Sequence, residues 1–179
     1  GASKILTNPN GFGIGGRHIT ISTVGVPAGI RRLAREKNNF RLAVSLHAPD
    51  QELRRQLVPT AGKWPLDDLL DALKEFTAGT SRDITIEYTL IKDINDQPDH
   101  ARRLAELLLG LPCKINAIPL NPNEHYPGKP PERHVVTRFQ DILMKAGIIC
   151  TVRAEKGRDI AAACGQLSVQ RNKEQNLLS

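Results

Sequence analysis

The chain has 179 residues, of which 40% are hydrophobic and 25% are charged, and its formal net charge is +6. This length fits one domain, and the composition excludes a disordered, collagen-like or coiled-coil chain. No apolar run approaches the ~20 residues that span a bilayer, so we expect a cytoplasmic protein with no membrane partner. We also expect a monomer.

The positive charge is concentrated in the first third of the sequence. Residues 1–60 contain nine Lys or Arg and three Asp or Glu, whereas residues 61–179 contain sixteen of each. Most of the excess comes from Arg17, Arg31, Arg32, Arg35, Lys37, Arg41, Arg54 and Arg55. Such a bias suits a polyanionic partner, and it equally suits a solvated basic face.

Short β-branched apolar runs alternate with segments of helical spacing. The predicted strands are 18–24, 42–46, 84–91, 114–120 and 148–153, and the predicted helices are 28–37, 65–78, 97–109 and 135–146. This alternation predicts an α/β fold with a parallel sheet and right-handed crossovers. Five strands are too few for an eight-stranded barrel, so we expect an open sheet or the later part of a larger barrel. Residues 121–134 form a long Pro-rich loop, of a kind that is usually functional or mobile.

Small or polar residues follow four of the predicted strands. They are Ser22 with Thr23, Ser45 with Leu46 and His47, Asn95 with Asp96, and Asn121. Because parallel strands end at one edge of a sheet, these groups can converge on a polar ligand of nucleoside size. Each residue taken alone is better explained as a helix cap or a turn residue.

Glu87 lies in a strand whose alternation could point its side chain inward. A buried carboxylate needs a partner, and Arg17 and Arg153 are the candidates that the sequence offers.

The three cysteines, Cys113, Cys150 and Cys164, have no C-x-x-C spacing. They therefore build neither a disulfide framework nor a metal or iron–sulfur site of their own, and the chain contributes no metal ligands. Cys164 lies among alanines and glycines in 157–167, a setting that suits an accessible nucleophile as well as a small core residue.

Five segments together resemble the radical S-adenosylmethionine (SAM) methyltransferases that act on adenine C2 in 23S rRNA and tRNA. They are ITISTVG (19–25), LAVSLHAP (42–49), ITIEY (84–88), INAIPLNP (115–122) and GRDIAAACGQL (157–167). The resemblance implies the later βα units of a partial (β/α)6 radical-SAM barrel, truncated at the N-terminus. On this reading residues 1–167 are the C-terminal part of the barrel, and 168–179 are a flexible polar tail.

The resemblance also implies the chemistry. Ser22, Ser45, Leu46, His47 and Asn121 would contact SAM, and Cys164 would be the catalytic cysteine that carries the methyl group. The family uses a [4Fe-4S] cluster and a second cysteine, 23S rRNA and tRNA as substrates, and a reducing partner such as flavodoxin.

The chain departs from the family pattern in one large respect. The C-x-x-x-C-x-x-C loop that holds the cluster is absent, so its ligands would lie outside this chain. We therefore expect an inactive fragment of such an enzyme. A non-catalytic SAM- or RNA-binding paralogue, or a related adenine-C8 methyltransferase, stays open as an alternative.

Overall fold

The structure is a computed structural model that describes residues 2–36, 39–78, 84–121 and 126–153. The strands are β1 (Thr20–Thr23), β2 (Arg41–Ser45), β3 (Ile84–Leu90), β4 (Cys113–Pro119) and β5 (Ile149–Val152). The helices are α1 (Ala2–Thr7), α2 (Pro27–Arg35), α3 (Gln51–Leu57), α4 (Leu66–Ala78), α5 (Pro98–Leu107) and α6 (Arg133–Lys145). Short 3₁₀ turns occupy Gly16–His18 and Pro59–Lys63.

All five predicted strands and all four predicted helices are present, each within a few residues of its expected bounds. The sequence prediction missed α1 and α3 in the described part of the chain. The proposed tail at 168–179 lies outside the described residues.

The strands follow one another across the sheet in the order β1-β2-β3-β4-β5, and every neighbouring pair is parallel. Each crossover therefore steps in the same direction, and right-handed crossovers then place the connecting helices on one face. This arrangement is the wall of a barrel, with helices outside and an open inner face, rather than a doubly wound sheet. It confirms the α/β expectation.

The core lies between the sheet and its helices. Along β3 the side chains of Ile84, Ile86, Tyr88 and Leu90 are buried, and the residues between them are half-buried. The buried set packs with Leu69, Leu73 and Phe76 of α4, with Leu104 of α5, and with Phe139 and Leu143 of α6. The intervening residues must therefore face the other side of the sheet, because side chains alternate along a strand.

The turn after β1 is built around a buried arginine. Arg54 of α3 has no exposed surface, and its Nη2 donates a 2.7 Å hydrogen bond to the carbonyl of Val24. Gly25 follows with φ +90°, and a Cβ there would lie 2.8 Å from Arg54 Nη2 and from Leu69 Cδ2. Gly25 is thus required both by its conformation and by the close approach of two side chains.

Substituting Gly25 by alanine should therefore destabilise the fold more than the same change at Gly110. Gly110 also has positive φ (+75°), but nothing lies within 4 Å of its Cβ position. Gly110→Ala should cost only the left-handed strain of about 1–2 kcal/mol, whereas Gly25→Ala should lose a further ~1–3 kcal/mol through overpacking. Urea unfolding measures both, and equal losses would contradict the packing around Arg54.

Candidate ligand site on the open face of the sheet

A row of polar side chains crosses the open face of the sheet. The strand register aligns Ser45 with Glu87, Glu87 with Asn116, and Asn116 with Thr151. In a parallel sheet, residues in register point to the same face, so the four side chains form one band. They alternate with the buried residues of the core, which places the band on the face opposite the connecting helices.

Glu87 is held within this band by an amide. Asn116 Nδ2 donates a 2.7 Å hydrogen bond to Glu87 Oε2, and both residues are half-buried. Neither Arg17 nor Arg153 is the partner of this carboxylate among the described residues, so that expectation is wrong. The reason is the register: β3 and β4 place Asn116 directly beside Glu87.

His47 lies just beyond the end of β2 in a left-handed conformation, with φ +61°. Its Nδ1 accepts a 3.0 Å hydrogen bond from the backbone N–H of Thr89. Burial and the charge of Arg54 lower the pKa of His47 from 6.5 to about 4. The ring is therefore neutral near pH 7, its proton lies on Nε2, and that N–H is a donor for a ligand.

The side chain of Asn95 links the ends of β2 and β3 through hydrogen bonds. Its Nδ2 donates to the carbonyls of His47 (2.8 Å) and Thr89 (2.7 Å), and its Oδ1 accepts from the N–H of Ile91 (2.7 Å). Asn95 has no exposed surface. Of the two roles that the sequence left open for Asn95, ligand contact and turn residue, the structure supports the turn residue, because its side-chain groups bond within the fold.

Asp96 is also unavailable to a ligand. It is 2% exposed, and its Oδ1 accepts hydrogen bonds from the N–H of Asp93 and from Gln97 Nε2. Both residues of the Asn95–Asp96 pair thus shape the turn after β3 and do not line the site.

The remaining predicted site residues lie at the carboxyl ends of three strands. Ser22 is exposed near the end of β1, Ser45 ends β2, and Asn121 is half-buried two residues after β4. Leu46 is different, because its side chain is 1% exposed and belongs to the core. Only the backbone of Leu46 is therefore suited to meet a ligand at this edge.

The cysteines in the described part of the chain lie on the helix side of the sheet. Cys150 is buried in the core, and burial raises the pKa of its thiol to about 11. Cys113 is half-buried and packs against the same core. Both fit the expectation of small structural residues. Cys164, the predicted catalytic residue, lies outside the described residues.

The described ranges contain no group of His, Cys, Asp and Glu side chains that could hold a metal ion. A [4Fe-4S] cluster therefore does not fit on these residues.

No helix in the described part of the chain is both long enough and apolar enough to cross a membrane.

Part of the basic surplus of residues 1–60 is neutralised within the fold. Arg31 contacts Asp68 at 2.7 Å and Glu75 at 2.8 Å, both on α4. Arg54 is buried, whereas the side chain of Arg32 is 80% exposed. The basic surface available to a partner is therefore smaller than the composition suggests.

No protein-family model matches the chain. The comparison with solved structures, in contrast, agrees with this architecture. A solved radical SAM methyltransferase from Sphaerobacter thermophilus superposes with a TM-score of 0.88 at 45% identity, covering 92% of this chain and 48% of that one. The chain thus has the fold of about half of a radical SAM methyltransferase.

The curated relatives with similar sequences identify the family. The ribosomal RNA large subunit methyltransferase N of Nitrosopumilus maritimus is 49% identical over 166 residues, which is 93% of this chain and 47% of the relative. The dual-specificity RNA methyltransferase RlmN of Pseudomonas putida is 48% identical over 173 residues, covering 96% and 45%. The chain belongs to the RlmN family, and it spans about half the length of the curated relatives it matches.

The low pKa of His47 predicts a stability that falls in acid. The unfolded chain protonates this histidine near pH 6.5, whereas the folded chain does so only near pH 4. Between these values the unfolded state binds more protons, so the free energy of unfolding should fall as the pH drops from 7 to 4. At ~1.4 kcal/mol per pKa unit, the effect amounts to roughly 3 kcal/mol.

Urea unfolding at pH 7, 5.5 and 4 measures this loss. His47→Asn, which tolerates positive φ, should reduce the pH dependence, whereas His134→Asn at an exposed position should leave it unchanged. An unchanged slope in His47→Asn would show that this ring titrates normally.

Proposed function

We propose that this chain is the SAM-binding part of a radical SAM RNA methyltransferase that methylates adenine C2 in 23S rRNA and in tRNA. The observation that carries the proposal is the parallel arrangement that gathers Ser22, Ser45, His47 and Asn121 at one edge of the sheet. The names of the relatives, which describe methyltransferases of RNA and of ribosomal RNA, support the reaction and the substrate class.

The edge suits SAM because its groups are uncharged donors and acceptors. His47 offers a neutral Nε2–H, while Ser45 and Asn121 offer a hydroxyl and an amide. The backbone of Leu46 lies between Ser45 and His47, and its N–H already donates to the carbonyl of Glu87 at 3.1 Å. A polar but neutral edge of this kind orients ribose and methionine groups without opposing the positive sulfonium.

The thiol of Cys164 is the proposed methyl acceptor. Its thiolate attacks the methyl carbon of SAM, a carbon–sulfur bond forms, and the bond from that carbon to the sulfonium breaks. The thiol proton leaves to water, and S-adenosylhomocysteine departs as a neutral thioether. The residue becomes S-methylcysteine, which is the carbon source for the adenine.

Transfer from that cysteine to the unreactive C2 position needs the radical chemistry that a [4Fe-4S] cluster supplies when it is bound. The described residues hold no ligands for it. On this proposal the cluster ligands lie in the rest of the protein, and a separate reducing partner such as flavodoxin supplies the electron. The 179-residue chain alone is expected to be inactive.

The RNA substrate is held, on this proposal, through its phosphates. Arg32 and Arg35 are exposed on α2, and Arg55 is exposed on α3. The chain has one Trp, two Tyr and four Phe, so it is poor in groups that stack on bases. Basic side chains that contact phosphates position an RNA without reading its sequence.

Cys164 gives the experiment that tests this function. In the complete protein incubated with SAM, peptide mass spectrometry should find a gain of roughly 14 Da on Cys164, as one methyl replaces the thiol hydrogen. Cys164→Ala should abolish RNA methylation, because the methyl group passes through that sulfur.

Cys113→Ser is the matched control and should keep both the modification and the activity, since Cys113 packs against the core on the helix side of the sheet. Methylated RNA from a folded Cys164→Ala protein would overturn the proposed route.

A further inference from the structure

We propose that Glu87, held by Asn116, is a binding residue of this site and accepts hydrogen bonds from a donor group of a nucleoside on the open face of the sheet. The inference rests on the proposed function and adds to it a residue outside the predicted SAM contacts. Three observations carry it: the position of Glu87 in the sheet, the state of its carboxylate, and the chemistry of its neighbours.

The position follows from the register. Glu87 pairs with Ser45, which lies at the ligand edge. Neighbouring strands are about 4.8 Å apart, and residues in register face the same side. A ligand seated against the Ser45 hydroxyl therefore lies within reach of the Glu87 side chain. Thr89, two residues further along β3, is in turn tied to His47 through its N–H.

The carboxylate is restrained but only partly used. Asn116 donates to Oε2 alone, at 2.7 Å. A carboxylate has roughly four acceptor positions, so most of its capacity is left for other donors. Within the described residues Glu87 makes no salt bridge, although it is half-buried. A half-buried carboxylate of this kind is best stabilised by donors that a ligand brings.

The residues beside Glu87 favour one type of ligand donor. The band beside Glu87 consists of Ser45, Asn116 and Thr151, all neutral and polar. Such a surface favours a hydroxyl or amine donor over a phosphate, which the carboxylate would repel. Nucleosides carry both donors, as ribose hydroxyls and as exocyclic amines. SAM and the target nucleotide are both nucleosides, and the experiment must distinguish them.

The test is an equilibrium binding titration of the complete protein with two probes, SAM and adenosine monophosphate. Glu87→Gln removes the charge but keeps an oxygen that can accept from Asn116, so the fold should be retained. Loss of a hydrogen bond to a charged group should weaken binding by about tenfold. A loss for SAM, with or without a loss for the monophosphate, assigns the donor to SAM, because the two probes share the adenosyl group. A loss confined to the monophosphate assigns the donor to the target nucleotide.

Thr85→Val is the matched control, because Thr85 lies two residues before Glu87 on the same face of β3. It should bind both probes as the unchanged protein does. If circular dichroism shows that Glu87→Gln does not fold, Glu87→Asp replaces it. The aspartate keeps the charge but retracts it by about 1.5 Å, and the same tenfold loss is expected.

The outcomes separate the two proposals. Equal affinities for both probes in the unchanged protein and the Glu87 variant would overturn the role of Glu87 and leave the proposed function standing. An unchanged protein that binds neither probe would contradict the proposed nucleoside site itself, and the role of Glu87 with it.

Discussion

In the described part of the chain the connecting helices cover one face of the sheet, and most other features depend on this constraint. Because the strands follow one another in sequential order, every right-handed crossover returns its helix to the same side. Each strand must then present apolar side chains to the helices and is free to carry polar ones on the other face. In β3 this produces Ile84, Ile86, Tyr88 and Leu90 on one side and Thr85, Glu87 and Thr89 on the other. The same alternation builds the core and the candidate site.

Buried polar groups then fix the edge where the strands end. Asn95 joins the carbonyls of His47 and Thr89, and the hydroxyl of Tyr88 donates to the carbonyl of Asn95 at 3.0 Å. On the other side of β2, Arg54 holds the carbonyl of Val24. Neither side chain needs to touch a ligand to matter. Asn95 fixes the backbone at His47, and Arg54 fixes the backbone that follows Ser22, so that the carboxyl ends of β1 and β2 are both held in place.

Local patterns in the sequence were sufficient for the strands and for the larger helices, because periods of two and 3.6 residues are visible within a short window. Helix α3 was missed although it has a readable start, in which the Asp50 side chain accepts from the N–H of Leu53. The contacts of the site residues were not predicted for a different reason. Glu87 is hydrogen-bonded to Asn116, which lies 29 positions later in the sequence, and Asn95 is hydrogen-bonded to His47, which lies 48 positions earlier. Such partners depend on strand register, which the sequence alone does not display.

The central claim is that the open face of this sheet serves methyl transfer from SAM to adenine C2. The most direct measurement incubates the complete protein with SAM carrying a labelled methyl group, a reductant, and a 23S rRNA transcript or tRNA. The RNA is then digested to nucleosides and analysed by mass spectrometry against synthetic standards. The account predicts labelled 2-methyladenosine. Labelled 8-methyladenosine, or RNA without labelled adenosine from a protein shown to cleave SAM, would contradict it.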